Sequence, residues 1–143
     1  MRKPPKAITV KQPWAWAIVM GYKDVENRTR CTSHRGPLLI HAGKGLDRSG
    51  FHTLWELGLH REVPYDLPRG ALVGIASVAD CIDDAESPWA LPGFRHWILR
   101  RPEHFRTPIP CRGALGFFIP DVSPHALWQA RRYAVGHRRR RVA

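Results

Sequence analysis

The stretch AITVKQPWAWAIVMGYKDVENRT, residues 7–29, holds the patterns of a strand, a short helix and an extended segment in direct succession. Residues 7–10 are rich in β-branched side chains, which favours a first strand. Pro13 suits the first position of a helix, and Gly21 suits the residue just past its end. Because residues 14–20 are apolar all round, this helix is predicted to be largely buried.

Outside this stretch, apolar runs between glycines predict four more strands, at residues 36–43, 70–81, 96–101 and 113–120. Two further helices are indicated, an amphipathic one from Asp47 and one from Ser123 to about Gly136. The strands do not alternate regularly with long helices, which disfavours a doubly wound sheet. We therefore predict an α+β fold, a small β-barrel of five to six mostly antiparallel strands with two to three short helices.

A chain of 143 residues is the size of one domain. We expect one monomeric domain over residues 6–136, with flexible ends at 1–5 and 137–143. No apolar run approaches the ~20 residues that cross a bilayer, and the start lacks the pattern of a secretory signal, so no membrane partner is expected. The cysteines are widely spaced and odd in number, which predicts reduced thiols and a cytoplasmic location. They are Cys31, Cys81 and Cys111.

The chain is strongly basic, with 23 lysines and arginines against 12 acidic residues, a net charge of +11 at pH 7. Such a balance indicates a polyanionic partner, most often nucleic acid, bound by neutralisation of its phosphates. Arginine outnumbers lysine 18 to 5, so biased codon usage stays open as an alternative cause. Six arginines near the C-terminus are the predicted phosphate-binding positions: Arg131, Arg132, Arg138, Arg139, Arg140 and Arg141.

Opposite charges alternate in residues 21–28, GYKDVENR, directly after the apolar helix. In a strand, Asp24, Glu26 and Arg28 would share one face, and Lys23 follows a bend that lets it reach the same side. Mixed charges beside a buried helix suit a polar, planar ligand, because a guanidinium offers a fork of donors and a carboxylate accepts from exocyclic amines. The alternative is a surface ladder of salt bridges that contributes under about 1 kcal/mol.

Four positions in this segment match the GxKxxExR signature of the ASCH domain, the activator-of-signal-cointegrator homology family. They are Gly21, Lys23, Glu26 and Arg28. RGPLLIHAGK, GALVGIASVADC and PIPCRGALGFF resemble further family motifs in the expected order, so the likeness extends from residue 6 to about 120. The chain resembles the bacterial and phage branch of that family. The resemblance implies a PUA-like β-barrel that binds RNA through a cleft lined by Lys23, Glu26 and Arg28.

Adjacency to the signature adds four candidate ligand-binding residues, namely Gln12, Trp14, His41 and Lys44. Because bases stack well on indole rings, Trp14, Trp89 and Trp97 are the candidate aromatic residues of the cleft. The other tryptophans lie in helical contexts and are predicted to be core: Trp16, Trp55 and Trp128. We predict RNA, another single-stranded nucleic acid or a modified nucleoside as the ligand, with no cofactor.

Hydrolysis is the alternative function. Some small members of the family resembled are amidohydrolases that act on an acylated cytidine with a lysine, a threonine and a glutamate, and others have been described as ribonucleases. Lys23 corresponds to that lysine, but Glu26 stands where those members carry the threonine. In an enzyme, Lys23 and Glu26 would be catalytic, with His41 as the acid in RNA cleavage. Cys31, His34 and His41 are too irregularly spaced for a closed zinc site, so no metal is predicted.

Overall fold

In a computed structural model, which describes residues 3–142, the chain folds into one sheet with three short helices. In chain order the elements are β1 (Ala7–Gln12), α1 (Trp14–Val19), β2 (Val25–Arg28), β3 (Gly36–Leu46), α2 (Arg48–Glu56), β4 (Ala71–Ile82), β5 (Arg95–Pro110), α3 (Pro124–Arg132) and β6 (Val135–Gly136). The predicted flexible ends, 1–5 and 137–143, fall partly outside the described residues, which omit 1, 2 and 143.

The strands form a sheet in the order β1-β3-β4-β5-β2, and β6 pairs with β5. β1 and β3 run parallel, whereas the other pairs are antiparallel. The α+β class with six mostly antiparallel strands is therefore confirmed, but the sheet is strongly curved and not closed into a barrel. β2 is only four residues long, and a side chain spans the gap between the sheet edges, since the Arg28 guanidinium donates to the Thr9 carbonyl at 3.2 Å.

Helix α1 packs against the sheet, and five of its six residues are buried, as its apolar sequence predicts. Ile18 and Val19 join a core that includes Ile8, Leu38 and Val73. Gly74 on β4 allows this close approach. A Cβ at Gly74 would lie 2.7 Å from Cγ1 of Val19 and still closer to the Glu103 carbonyl oxygen.

Two of the predicted elements are wrong. Residues 113–120 are not a strand, because they pair only through an isolated bridge between Phe118 and Ala7, and Gly116 adopts a left-handed φ of 65°. The last helix ends at Arg132 rather than near residue 136, and Val135–Gly136 forms β6 instead. In both places the chain follows the edge of the sheet, where it forms single bridges or short pairs.

The predicted strand at 96–101 is part of β5, which runs on for nine further residues to Pro110. Three prolines interrupt the hydrophobic pattern of this extension, and Arg101 has a positive φ of 53° where the pairing with β4 shifts register. Prolines are tolerated in strands at edges and bulges, where a backbone donor is not required. The sequence pattern therefore ends at the bulge while the strand continues.

Two tryptophans and two cysteines also differ from prediction. Trp55 and Trp128 are 62% and 54% exposed, so they are not core residues, whereas Trp16 is buried. Cys31 and Cys81 form a disulfide with a Cα–Cα distance of 5.9 Å, because the segment after β2 returns to the end of β4. Only Cys111 remains as a free thiol in the described chain.

None of the helices in residues 3–142 has the length and apolar character to span a bilayer.

Candidate functional site

The charged side chains of the signature form one connected, largely buried group. Lys23 Nζ donates to the Val25 carbonyl and lies 3.2 Å from Glu26 Oε1. Arg28 Nη2 lies 3.0 Å from the other oxygen, Glu26 Oε2, to which Arg28 Nε also donates. Lys23 and Glu26 are 6% and 8% exposed. A surface ladder of salt bridges is thereby excluded, since the ionic pair is removed from bulk water.

The end of α1 fixes the position of Lys23. The amides of Tyr22 and Lys23 both donate to the Ala17 carbonyl, at 2.9 and 2.8 Å, which closes the last turn of the helix. Gly21 reverses the chain with a φ of 86°, a conformation that favours glycine. A Cβ at Gly21 would also lie 2.8 Å from the Arg138 carbonyl oxygen. Gly21 is therefore required by both the turn and the close approach of the C-terminal segment.

A cleft of about 390 Å³ opens beside the Lys23–Glu26 pair. Its lining includes Trp14, Lys23, Glu26, Asn27, Trp89 and Phe94, and we call it the signature cleft. The rings of Trp14 and Trp89 are nearly perpendicular, with centroids 6.1 Å apart, and Lys23 Nζ lies 5.9 Å from the Trp14 ring. The cleft therefore combines two aromatic walls with a buried ion pair.

Asp47, at the start of α2, orients one of these walls. Its Oδ2 accepts a 2.8 Å hydrogen bond from Trp14 Nε1, and its Oδ1 accepts one of 2.6 Å from the Ser49 hydroxyl. The hydrogen bonds from Ser49 and Trp14 lower the pKa of the Asp47 carboxyl. The carboxylate is thus stabilised in its charged form at the mouth of the cleft.

The opposite wall is a loop held by two polar side chains of the sheet. Asn27 Nδ2 donates to the Trp89 carbonyl at 2.9 Å, and Asn27 Oδ1 accepts from the Leu91 amide at 2.9 Å. His96, which is buried, accepts from the Ala85 amide at 3.1 Å and donates to the Leu91 carbonyl at 2.7 Å. These bonds fix the loop that carries Trp89, so the cleft is preformed by the fold.

Comparison with known proteins identifies the family of the chain. The sequence profile of the ASCH domain matches residues 8–104, a range that contains the whole signature cleft. The chain belongs to the ASCH domain family. Activating signal cointegrator 1 of Homo sapiens is 29% identical to it over 119 residues, and the Mus musculus protein of that name is 30% identical over 119 residues. Each alignment covers 74% of this chain, but the chain spans only 20% of the length of these relatives.

The ASCH family is generally associated with RNA binding. Of the residues predicted from the ASCH signature and its neighbours, the structure brings Trp14, Lys23 and Glu26 together in the cleft. Arg28 stands behind Glu26, with its guanidinium carbon 5.7 Å from the centre of the Trp97 ring. Trp97 is itself buried, and its Nε1 donates to the Arg30 carbonyl at 3.0 Å, so it supports Arg28 from within the fold.

Gln12 is buried and supports the signature cleft from within the fold. Its Nε2 donates to the Pro68 carbonyl at 2.9 Å, and its Oε1 accepts from the Trp16 amide at 2.9 Å. Both ends of the amide are therefore used within the fold. Gln12 fixes the first turn of α1, and through it the Trp14 wall.

His41 and Lys44 lie away from the signature cleft. Ile40 belongs to the core under α1, and His41, next along β3, points to the other face of the sheet, where its ring meets Phe118 at 5.8 Å. Its Nε2 donates to the Cys111 carbonyl at 2.8 Å, and its Nδ1 accepts from the Thr9 hydroxyl at 3.2 Å. Lys44 is exposed at the far end of β3, where its carbonyl accepts from Arg69.

The C-terminal arginines divide into two groups. Arg131 and Arg132 are exposed at the end of α3, remote from the ASCH signature. Arg139 instead forms an ion pair with Asp24 at 2.9 Å, and the Arg140 amide donates to the Gly21 carbonyl at 2.8 Å. The segment from residue 137 to 140 therefore packs against the back of the signature turn.

Several residues of the cleft are not predicted as site residues by the sequence, among them Asn27, Asp47 and Phe94. Asn27 occupies a variable position of the ASCH signature, and its partners lie more than 60 residues away in sequence. Asp47 carries the pattern of a helix start, which concealed its bond to Trp14. Only long-range contacts could have assigned these residues to the site.

Proposed function

We propose that the protein binds single-stranded RNA and places one base, or a nucleoside derived from it, in the signature cleft. The observation that supports this most directly is the pair of perpendicular indoles beside the buried Lys23–Glu26 pair. A volume of about 390 Å³ is at the small end of the range for ligand sites, roughly 300–1,000 Å³, and suits a ligand of nucleoside size. Stacking of a base on an aromatic ring contributes about 1–3 kcal/mol.

The buried pair retains hydrogen-bonding capacity for the edge of a base. An ammonium has three donors, and Lys23 directs two of them to Val25 and Glu26. A carboxylate has about four acceptor positions, of which Lys23 and Arg28 occupy only some. One donor of Lys23 and an acceptor of Glu26 therefore remain to read adjacent polar atoms of a planar ligand. The net charge of +11 supplies the attraction for the phosphates that flank the base.

The cleft gives no support to the hydrolase alternative. A catalytic hydroxyl would need to lie beside Lys23, but Thr29 is exposed and outside the cleft lining. Ser49 and Thr53 do line the cleft, yet their hydroxyls donate to Asp47 at 2.6 Å and to the Ser49 carbonyl at 3.2 Å. Lys23 Nζ is itself engaged with the Val25 carbonyl and with Glu26.

Fluorescence anisotropy with a labelled single-stranded RNA of about 4 nucleotides, near the lower limit of site size for stacking proteins, tests the proposal. Trp14→Ala should weaken binding roughly 5- to 150-fold, the loss of one stacked base. Phe94→Ala is a second variant, since Phe94 is 37% exposed and less involved in the core. Trp55→Ala is the matched control, because Trp55 is exposed on α2 and packs on His60 outside the cleft.

Circular dichroism should show that each variant remains folded. The proposal fails if the wild-type protein does not bind the short RNA at low salt. It also fails if both cleft variants bind the RNA as tightly as the Trp55→Ala control. Turnover of an acylated nucleoside or of RNA by the wild-type protein, abolished by Lys23→Ala, would instead establish the hydrolase alternative.

A further inference from the structure

A second cavity, of about 820 Å³, lies beneath α3, and most of its lining residues fall outside residues 8–104, the range that matches the ASCH profile. We call it the α3 groove, and its lining includes Lys3, Pro5, Leu127, Trp128, Arg131 and Arg132. None of the α3 residues is buried, and the helix packs against the sheet through the half-buried Leu127 and Ala130. A helix with so little buried surface presents most of its side chains to a partner or to solvent.

The exposed side of α3 carries a row of planar groups. The rings of His125 and Trp128 are stacked, with centroids 6.0 Å apart and planes 19° from parallel. The Arg132 guanidinium lies 5.2 Å from the Trp128 ring and 5.8 Å from the Tyr133 ring. Trp128 and Tyr133 are 54% and 57% exposed. Alternating aromatic rings and guanidinium groups are what single-stranded nucleic acids stack on without regard to sequence.

The charge of the groove favours a polyanion. Lys3, Arg131 and Arg132 all line it, whereas Glu103 is the one acidic side chain among its described lining residues. No ion pair formed within residues 3–142 involves Arg131 or Arg132, in contrast to Arg28 and Arg139. Their charges therefore remain free to neutralise phosphates, which is the main source of affinity for nucleic acids.

We infer that the α3 groove is a second contact surface for the same single-stranded RNA, an inference that rests on the proposed function of the signature cleft. Trp128 stacks a base, Arg131 and Arg132 hold the flanking phosphates, and the cleft receives another base of the strand. An acidic peptide would satisfy the charges of the groove but would make no use of the row of planar groups. The structure therefore favours nucleic acid as its occupant.

A notch of about 280 Å³ adjoins the signature cleft. Lys23 borders both the signature cleft and this notch, whose lining also includes Arg100 and Arg138. Pro102 borders the notch, and Glu103, the next residue of β5, borders the α3 groove. Basic side chains of the notch thus extend the charged surface from the cleft to the part of β5 that also borders the groove.

The test compares labelled RNAs of about 4 and about 16 nucleotides, the range of site sizes of single-strand binding proteins. Trp128→Ala should weaken binding of the long RNA roughly 5- to 150-fold and leave the short RNA unaffected. Arg131→Gln/Arg132→Gln should make the negative slope of log K against log salt shallower by about 1.4 for the long RNA, since each phosphate contact contributes about 0.7. Arg61→Gln/Arg112→Gln, both exposed and outside the cleft and the groove, matches the change in net charge.

The outcomes separate the two proposals. Binding of the long RNA that is insensitive to Trp128→Ala and to the Arg131/Arg132 change, with the short RNA bound normally, overturns the groove and leaves the cleft intact. Binding of the long RNA that depends on Trp128, with no binding of the short RNA, supports the groove and overturns the cleft. Failure to bind either RNA overturns both. Trp128-dependent binding of a glutamate-rich peptide without an effect on RNA assigns the groove to a protein partner instead.

Discussion

The charged side chains of the signature cleft and of the α3 groove have opposite environments. At the cleft, Lys23 and Arg28 both pair with Glu26 behind aromatic walls, and two of these three residues are almost fully buried. In the groove, Arg131 and Arg132 are exposed, and Arg132 lies over the Trp128 ring rather than beside a carboxylate. A satisfied buried pair has a fixed geometry and can select a ligand, whereas free surface charges attract any polyanion. On the proposed functions, the cleft contributes specificity and the groove contributes general affinity.

The largest expected effect comes from removal of the carboxylate in the cleft. Glu26→Ala leaves the Lys23 ammonium buried without its partner, and the loss of one partner of a buried pair destabilises a protein by about 3–5 kcal/mol. Glu103→Ala is the matched change in the groove, where the carboxylate has no ion pair among the described residues. We expect its effect on the free energy of unfolding to stay within about 0.5 kcal/mol.

Urea denaturation followed by circular dichroism measures both values. The same two variants should differ in binding, because Glu103→Ala removes the negative charge from the groove and should tighten binding of the long RNA. If Glu26→Ala costs no more than Glu103→Ala, the signature charges behave as a surface ladder and the contrast between the two regions is lost.

The contrast between the regions also explains which of them the sequence predicts. β1, α1 and the Lys23–Glu26 contact follow from residues close together in the chain, where proline, glycine and side-chain alternation determine the structure. The α3 groove joins the N-terminal segment, β5 and α3, so no local pattern describes it. Trp128 has helical spacing typical of a core residue, and only the contacts of α3 show that it is exposed.

His41 shows where local reasoning about the site fails. Its position soon after the signature in the chain predicts a place in the cleft, but strand residues alternate between faces. β3 is covered on both faces, so both Ile40 and His41 are buried and the sequence gives no alternation of polarity to separate them. Asn27 is the converse case, a polar residue in a short strand whose role depends on a loop more than 60 residues away.

A smaller effect is expected at the start of α3. The Ser123 hydroxyl accepts a 3.0 Å hydrogen bond from the Ala126 amide, which caps the helix, so Ser123→Ala should cost about 1 kcal/mol of helix stability. Because no residue of α3 is buried, the loss should appear as faster hydrogen exchange of its amides and not as global unfolding. Binding of the long RNA should weaken up to about 5-fold, the equivalent of that free energy, if the groove needs an ordered α3.

Ser33→Ala, in an exposed loop, is the matched control and should change neither exchange nor binding. Protection of the cleft residues should be the same in both variants. Loss of protection throughout the sheet in Ser123→Ala would mean that α3 is part of the cooperative core. The two regions would then not differ in stability.

The smallest effect concerns the C-terminal segment between the two regions. His104 Nδ1 and His137 Nε2 are 2.7 Å apart, their rings stack at 5.0 Å, and the His137 amide donates to the Pro102 carbonyl at 2.9 Å. Burial, and then Arg106 and Arg140, lower the pKa of His104 below its ordinary value of 6.5. Burial, and then Arg140 and His104, lower the pKa of His137 in the same way.

Because both pKa values are lower in the folded state, the unfolded or undocked segment binds protons more readily. The docking of residues 137–140 should therefore be fully stable above about pH 6.5 and weaken as the pH falls through the lowered pKa values. The Arg140 amide, which donates to the Gly21 carbonyl at 2.8 Å, should then shift in NMR spectra toward its position in an unfolded peptide. His52→Ala, which removes an exposed histidine of α2, should leave this titration unchanged, and His104→Phe should reduce it. An Arg140 signal that does not change between about pH 7.5 and 5 would show that the ion pair of Arg139 with Asp24, 2.9 Å long, holds the segment without the histidines.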